Sequence, residues 1–511
     1  MSKIIPEKEN IFKGNEGFGK ELYGIQKRHK TGRIFKAFIG LTSLLLASCA
    51  AGPDFQRPSP PGDLGYLKAP PPGVIAPKTG GQGQDIVMGQ EISSKWWELF
   101  HVPELDNLLR DTVRMSRTLS AARATLAAAR ETVTATKGGL FPQADFSAGF
   151  DRRRASGATQ ASDLYSLSPS ASYKLDLFGN IRRRVEQQQA LAEFQGYELA
   201  ADYLTLTGDA VTQAITIASL RSQIKALEDV ISEDERNLSL VRLMLEAGKV
   251  ARTDLLTAET QLASDRTSLP PLRQQLSVAR HSLSVLAGRT TAEWSPPDFD
   301  LTDFNLPEDL PLTLPSKLVR QRPDILAAEA KLHADSAAIG IAASQLYPDI
   351  TLSGSLGQQS IDAGSLFRHT SRFWDIAADL TGPIFHGGTL KAQKRAAVDT
   401  FKASLATYEQ TVLQAFQQVA DTLRALSNEA EQTAASKQLL DTASEALALQ
   451  RLSYRSGKSD ILQLINAERA YQEARLGYTR VNAQRLLDTA QLFVVLGGGW
   501  RRSSDLTDAP E

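Results

Sequence analysis

Cysteine is all but missing from this chain. Among 511 residues there is one, Cys49, so no intrachain disulfide can form. A surplus of either charge is missing too. Fifty-seven basic against 58 acidic side chains leave a formal net charge of -1, which excludes the cationic footprint of a nucleic-acid binder. No uninterrupted apolar run reaches the roughly 20 residues that a membrane helix needs, so any crossing of a bilayer falls to strands. The six histidines are scattered, with no pair at metal-ligand spacing. Met88, Met115 and Met244 are equally dispersed. Asp176-Leu177-Phe178-Gly179 has no glycine-rich loop or catalytic-loop partner for kinase chemistry. Gly387-Gly388-Thr389-Leu390-Lys391 lacks P-loop spacing. With no nucleophile–base arrangement either, the chain reads as no enzyme, with no metal and no cofactor. Proline is absent where its absence says most: none falls between Gly179 and Gly248, or between Gly388 and Gly457. If helical, each stretch runs on the order of 100 Å at about 1.5 Å per residue.

What is present is written twice, about 209 residues apart. Phe141-Pro142 and Tyr347-Pro348 each open an alternating polar/apolar stretch. Leu177-Phe178-Gly179 is answered by Ile384-Phe385-His386-Gly387, and Gly248, Glu259 and Gly288 by Gly457, Glu468 and Gly497. Each copy predicts two strands followed by long helices that turn at a glycine, Gly248 or Gly457. Such turns need a residue free of the Cβ constraint. Between Ser166 and Leu177, serines, Lys174 and Asp176 point one way while Leu167, Pro169, Ala171, Tyr173 and Leu175 point the other. Phe146, Ala148 and Phe150 oppose Asp145, Ser147 and Asp151, and Trp374, Ile376, Ala378 and Leu380 oppose Asp375 and Asp379. These runs approach the ~9–11 residues of a tilted membrane strand. A half-buried soluble sheet alternates in the same way.

The helices decide between them. Val398, Phe401, Leu405, Tyr408, Val412, Ala415 and Val419 keep a 3-4 spacing, as do Ala190, Phe194, Tyr197, Ala201 and Leu204. Such a seam marks coiled-coil contacts. An Ala-rich helix is expected from about residue 104 to 137. Four strands cannot close a barrel, and open edges are not tolerated in a bilayer. Closure must come from self-association: eight strands in a dimer fill with side chains, whereas twelve in a trimer leave a lumen. The polar inner face favours the trimer.

At the front of the chain, Lys27, Arg28, Lys30, Arg33 and Lys36 precede an apolar run from Ala37 to Ala47, the layout of a secretory signal. Leu46-Ala47-Ser48-Cys49 closes it and resembles the lipobox of bacterial lipoproteins, which implies a covalent lipid on Cys49. A Pro/Gly-rich stretch then reads as an extended tether. It ends at Lys95-Trp96-Trp97-Glu98-Leu99-Phe100, where the tryptophans are expected to pack the tether on the body.

Taken in order, Trp96-Trp97…Phe100…Pro103, Leu175-Asp176-Leu177-Phe178-Gly179, Arg322-Pro323-Asp324-Ile325…Ala328-Glu329, Tyr347-Pro348 and Gly382-Pro383-Ile384-Phe385…Gly387-Gly388 resemble the outer-membrane factor (TolC-like) family. More narrowly, they resemble its lipidated NodT-type channels of RND efflux systems. The resemblance implies an α+β membrane protein: a homotrimeric 12-stranded β-barrel, four strands per chain, continuous with a long periplasmic α-helical barrel. It implies residence in the outer membrane of a Gram-negative bacterium, and as partners a periplasmic adaptor protein and an inner-membrane RND transporter. Type I protein secretion and metal-ion efflux are the alternatives. An equatorial belt is expected near residues 91–110, 295–320 and 425–440. The expected division is a signal peptide at 1–48, a lipidated tether at 49–95, a first repeat at 96–295, an equatorial linker at 296–320, a second repeat at 321–500 and a polar tail at 501–511. In the family the second-copy turn lines the periplasmic end, which makes Tyr454, Lys458, Asp460, Gln463 and Asn466 gate candidates, with Asp254 from the first-copy turn. The best-known members carry aspartates where this chain has Gln463 and Asn466, so Asp460 or Asp254 would supply any negative ring.

Overall fold

The computed structural model describes residues 50–500, apart from 60–64, 68–73, 76–82, 91, 155 and 158–159, and of Val74–Ile75 the backbone alone. The expected signal segment, Cys49 and the polar tail lie outside the described residues. The described residues belong to one compact unit that begins at Ala50.

Duplication governs the architecture. Helix α1 (Pro103–Met115) and helix α2 (Arg117–Gly138) lead into strands β3 (Gln143–Arg153) and β4 (Ser162–Leu175). Then come α3 (Asn180–Glu246) and α4 (Arg252–Leu286). The second copy runs α5 (Pro323–Ser344), β6 (Asp349–Ser360), β7 (Arg372–Thr381), α6 (Thr389–Arg455) and α7 (Ile461–Val495). Both α3 and α6 have 67 residues, and both α4 and α7 have 35. Their starting residues, Asn180 and Thr389, are 209 positions apart; α2 and α5 each have 22 residues and start 206 apart, at Arg117 and Pro323. The difference sits in the connection leaving the sheet, residues 176–179 in one copy and 382–388 in the other.

The four long strands form one antiparallel sheet in the order β3-β4-β6-β7. Its register carries the alternation across every strand. Phe146 stands opposite Pro169, Tyr173 opposite Leu352, Leu352 opposite Ala378, and Leu356 opposite Trp374. That face is largely open among the described residues: Trp374 is 76% exposed and Ile376 79%. On the other face, Asp145 pairs Ser170, Ser170 pairs Ser355, and Ser355 pairs Asp375. Strands β3 and β7 each have one edge unpaired among the described residues.

The expected helix from 104 to 137 is two helices. Ser116 leaves helical geometry, with ψ 126°, and its side chain accepts from the Leu119 backbone NH at 3.3 Å. An N-cap serine satisfies an otherwise orphaned donor and so restarts the helix.

The stretch read as a tether is the larger correction, because its described parts are built into the body. Gly52 lies against Gly340, where a Cβ would meet backbone at 2.5 Å. The buried Arg183 donates to Asp54 at 2.6 Å and to the Ala51 carbonyl at 3.3 Å. Phe55 stacks on His333 at 4.4 Å, and Arg57 pairs with Glu329 at 3.0 Å. Further on, strands β1 (Val74–Ile75) and β2 (Gln84–Met88) join β5 (Asp309–Leu312), with β2 and β5 parallel. This small sheet sits on the main apolar core, where Trp96, Phe100, Leu105, Leu109, Ile215, Leu283, Leu310 and Phe493 are buried. Trp96 stacks on Phe493 at 5.4 Å, so the tryptophans pack as expected. Val419, Leu423, Leu426 and Ala430 of α6 belong to the same core, which brings the three segments expected in the belt together.

Candidate functional site

Two ends of the molecule carry chemistry that its core does not explain. The first is the junction between sheet and helices. Residues 141–142, 176–178, 347–348 and 382–385 adjoin the same end of the sheet, since Leu175 pairs Ile350 and Ile350 pairs Leu380. Phe178 stacks on Tyr347 at 4.6 Å, while Phe141, Ile384 and Phe385 stand exposed. The Ala51 backbone NH donates to the Phe178 carbonyl at 2.9 Å. Asp176 caps α3, accepting from the backbone NH groups of Ile181 and Arg182 at 3.0 and 2.9 Å. That gives a structural role to a motif whose kinase likeness was empty.

The second is the pair of helix tips. Both turns close in the same way: Lys249 NH donates to Met244 O and Lys458 NH to Ser453 O, each at 2.9 Å. Gly248 at φ 70° and Gly457 at φ 71° occupy the left-handed position of these Schellman closures. An apolar cluster ties the tips together, with Leu238, Val241, Ala258, Leu262, Leu447, Ile461, Leu464 and Ile465 buried in it. Tyr454 packs against this cluster, and its hydroxyl donates to Met244 Sδ at 3.3 Å; burial raises its pKa. The two candidate aspartates cap their own helices. Asp460 accepts from the Gln463 NH at 2.8 Å, and Asp254 accepts from the Ala251 NH at 2.9 Å. Because Asp460 is aligned with Ala251 and Gln463 with Asp254, each copy keeps one half of a capping box. Gln463, exposed, accepts from Gln450 at 3.3 Å. Lys458 and Asn466 are exposed.

Sequence reasoning missed the charged contacts just above the tips. Arg451 and Glu468, 3.2 Å apart, repeat Arg242 and Glu259, 2.9 Å apart, at the 209-residue offset. The second glutamate alone is buried, and it accepts a further bond from Asn237 of α3. The counterpart of Asn237 is Ala446, so the reach is one-way, from the first hairpin to the second. Arg475 to Asp229 at 3.0 Å and Arg480 to Gln223 at 2.9 Å extend this line of α7–α3 contacts. Glu468 was visible as a repeat marker; nothing in a linear reading places it against Asn237.

Both ends are thus built from helix caps, ion pairs and exposed apolar side chains. The model of the family described as "Outer membrane efflux protein" matches residues 108–289 and 314–498. The pyoverdine export outer membrane protein OpmQ of Pseudomonas aeruginosa is 28% identical over 445 residues, 84% of this chain and 92% of that protein. The toluene efflux pump outer membrane protein TtgC of Pseudomonas putida is 28% identical over 471 residues, 90% of this chain and 95% of its own length. The solved outer-membrane channel OprN superposes with a TM-score of 0.80 at 27% identity, covering 89% of this chain and all of that one. By sequence and by fold, then, the chain belongs to the outer membrane efflux protein family and has the architecture of its outer-membrane channels.

Proposed function

We propose that three copies of this chain assemble into the passive exit duct of a tripartite efflux pump for small amphipathic compounds. One observation carries the reading. A four-stranded sheet is apolar on one exposed face, polar on the other, unpaired at both edges, and continuous with helices of 67 residues. Lipid satisfies the apolar face, and further copies satisfy the edges. Exposed leucines on the helices, Leu439, Leu449 and Leu452 among them, offer contact to the same neighbours. Export of pyoverdine and efflux of toluene by similar proteins support a small-molecule cargo. A periplasmic adaptor gripping the helix tips and an inner-membrane RND transporter supply the drive. We assign the periplasmic gate to Tyr454, Lys458, Asp460, Gln463, Asn466 and Asp254, and lipidation to Cys49. The docked segment 51–57 supports the latter, since it brings Ala50 beside the Phe178-Gly179 turn at the sheet's aromatic end.

The test is the purified protein in planar bilayers. A heat-modifiable trimer with small, mostly closed conductance is expected, and Asp460→Ala should raise that conductance as α7 frays at its cap. A monomer that passes no current removes the duct; unchanged conductance in the variant removes Asp460 from the gate.

A further inference from the structure

The two hairpins differ sharply at a pair of positions between α3 and α4. Asp234 and Asp265 stand where the second copy, 209 residues on, has the buried alanines Ala443 and Ala474. The Asp234 carboxyl faces the same cavity as that of Asp265, close enough for the two to be coupled. Its Oδ2 is shut away from solvent and meets no donor, while Asp265 Oδ2 accepts from Gln261 Nε2 at 2.8 Å. Both border a cavity of about 140 Å³ where α7 crosses the first hairpin.

The charged groups around it are already engaged. On α3, Glu233 binds Arg236 at 2.7 Å. On α7, Glu468 is held by Arg451 and Asn237. Arg469, the one basic side chain lining the cavity among the described residues, binds Glu473 at 3.0 Å. Two neighbouring carboxyl groups, with no free basic side chain among the described residues lining their cavity, repel unless one keeps a proton. Burial, the Asp265 carboxyl and the nearby Glu468 and Glu233 charges together push Asp234 up to about 7.

We propose that Asp234 and Asp265 form a proton-holding clasp. While they share one proton they tie α3 to α4 beneath α7; when it leaves, their repulsion loosens the first hairpin's hold on the second. Resting on the reading of the tips as the channel's periplasmic entrance, this makes the entrance respond to pH. The sign follows from the raised pKa. Protonation favours the closed contact, so the contribution is complete below the ordinary carboxyl value, drains as pH rises towards 7, and is gone above it. Local opening therefore grows by at most about tenfold per pH unit between pH 5 and 7.

Hydrogen exchange on the full chain in detergent, corrected for intrinsic chemistry, reads this directly. Between pH 5 and pH 8, protection across residues 227–241 and 258–268 should fall in the wild type. In Asp234→Asn and Asp265→Asn, and in an Asp234→Ala/Asp265→Ala pair that copies the alanines of the second hairpin, it should not. Flat wild-type protection, or an equal fall in the asparagine variants, overturns the clasp. Single-channel recordings at the same pH values separate the two claims. Conductance rising with pH in the wild type but not in Asp234→Asn supports the link to the entrance, and the same pH response in both overturns that link. A protein silent at every pH defeats the duct itself, and the exchange data still decide the clasp.

Discussion

At the scale of single residues, the same backbone conformation is required for different reasons. Gly457 and Gly288 have φ of 71° and 70°, and both end long helices. A Cβ on Gly457 would meet nothing within 4 Å, so the demand there is conformational alone. A Cβ on Gly288 would sit 2.4 Å from the Met115 carbonyl oxygen, where α1 ends. Gly457→Ala should therefore cost about 1–2 kcal/mol, the left-handed penalty of a side chain. Gly288→Ala should cost more, because α1 must also shift. Thermal unfolding of the two variants in detergent checks the order, and equal drops in midpoint would sink it. The turn glycines were legible because they recur at a fixed offset. The role of Asp460 was only half legible: an acid before a helical run reads equally as a cap or as a ring around a pore. The capping bond shows that it does the first; the second is a matter for the conductance test.

Elements were legible in proportion to their periodicity. The sheet runs declared themselves by alternation, and the two 67-residue helices by their lack of proline, whereas α4 runs through Pro270 and Pro271. The β1-β2-β5 sheet did not. Its strands have two, five and four residues, β5 contains Pro311, and the β2–β5 pairing joins Asp85 to Asp309 across the whole of the first repeat. Gln84, polar and in Pro/Gly-rich company, reads as linker yet is fully buried. Its amide donates to the Pro307 carbonyl at 3.1 Å, and its oxygen accepts from Arg485 at 3.2 Å. Arg485 belongs to a polar patch in the second copy, with Glu429 and Asp488, where the first copy has Leu220, Leu276 and Ala279. Burial and the neighbouring Asp488 carboxyl push Glu429 up to about 9. A carboxyl raised in the folded state stabilises it below the ordinary value, and that stability drains as pH climbs towards 9. Wild-type melting temperature should thus fall on going from pH 6 to pH 9.5. Glu429→Gln, neutral throughout, should fall less; parallel curves would show that Glu429 is not the group concerned.

For the whole molecule, the decisive property is that it cannot be completed by one chain. Two open sheet edges and an apolar face with Trp374 and Ile376 bare to the outside are liabilities in water and assets in a trimeric barrel. The membrane would then hold the protein in two independent ways, through the barrel and through a lipid on Cys49. A closed barrel holds its place in the bilayer without help from the lipid. Cys49→Ala should accordingly leave most of the protein in the outer-membrane fraction. An arginine on the lipid-facing side of a strand costs about 2–4 kcal/mol at the bilayer midplane, and a trimer carries each substitution three times. Trp374→Arg/Ile376→Arg should therefore abolish the heat-modifiable trimer while Cys49 remains intact. Fractionation with gel analysis distinguishes the anchors: full release by Cys49→Ala, with trimers surviving the double arginine variant, would mean that the sheet does not sit in lipid.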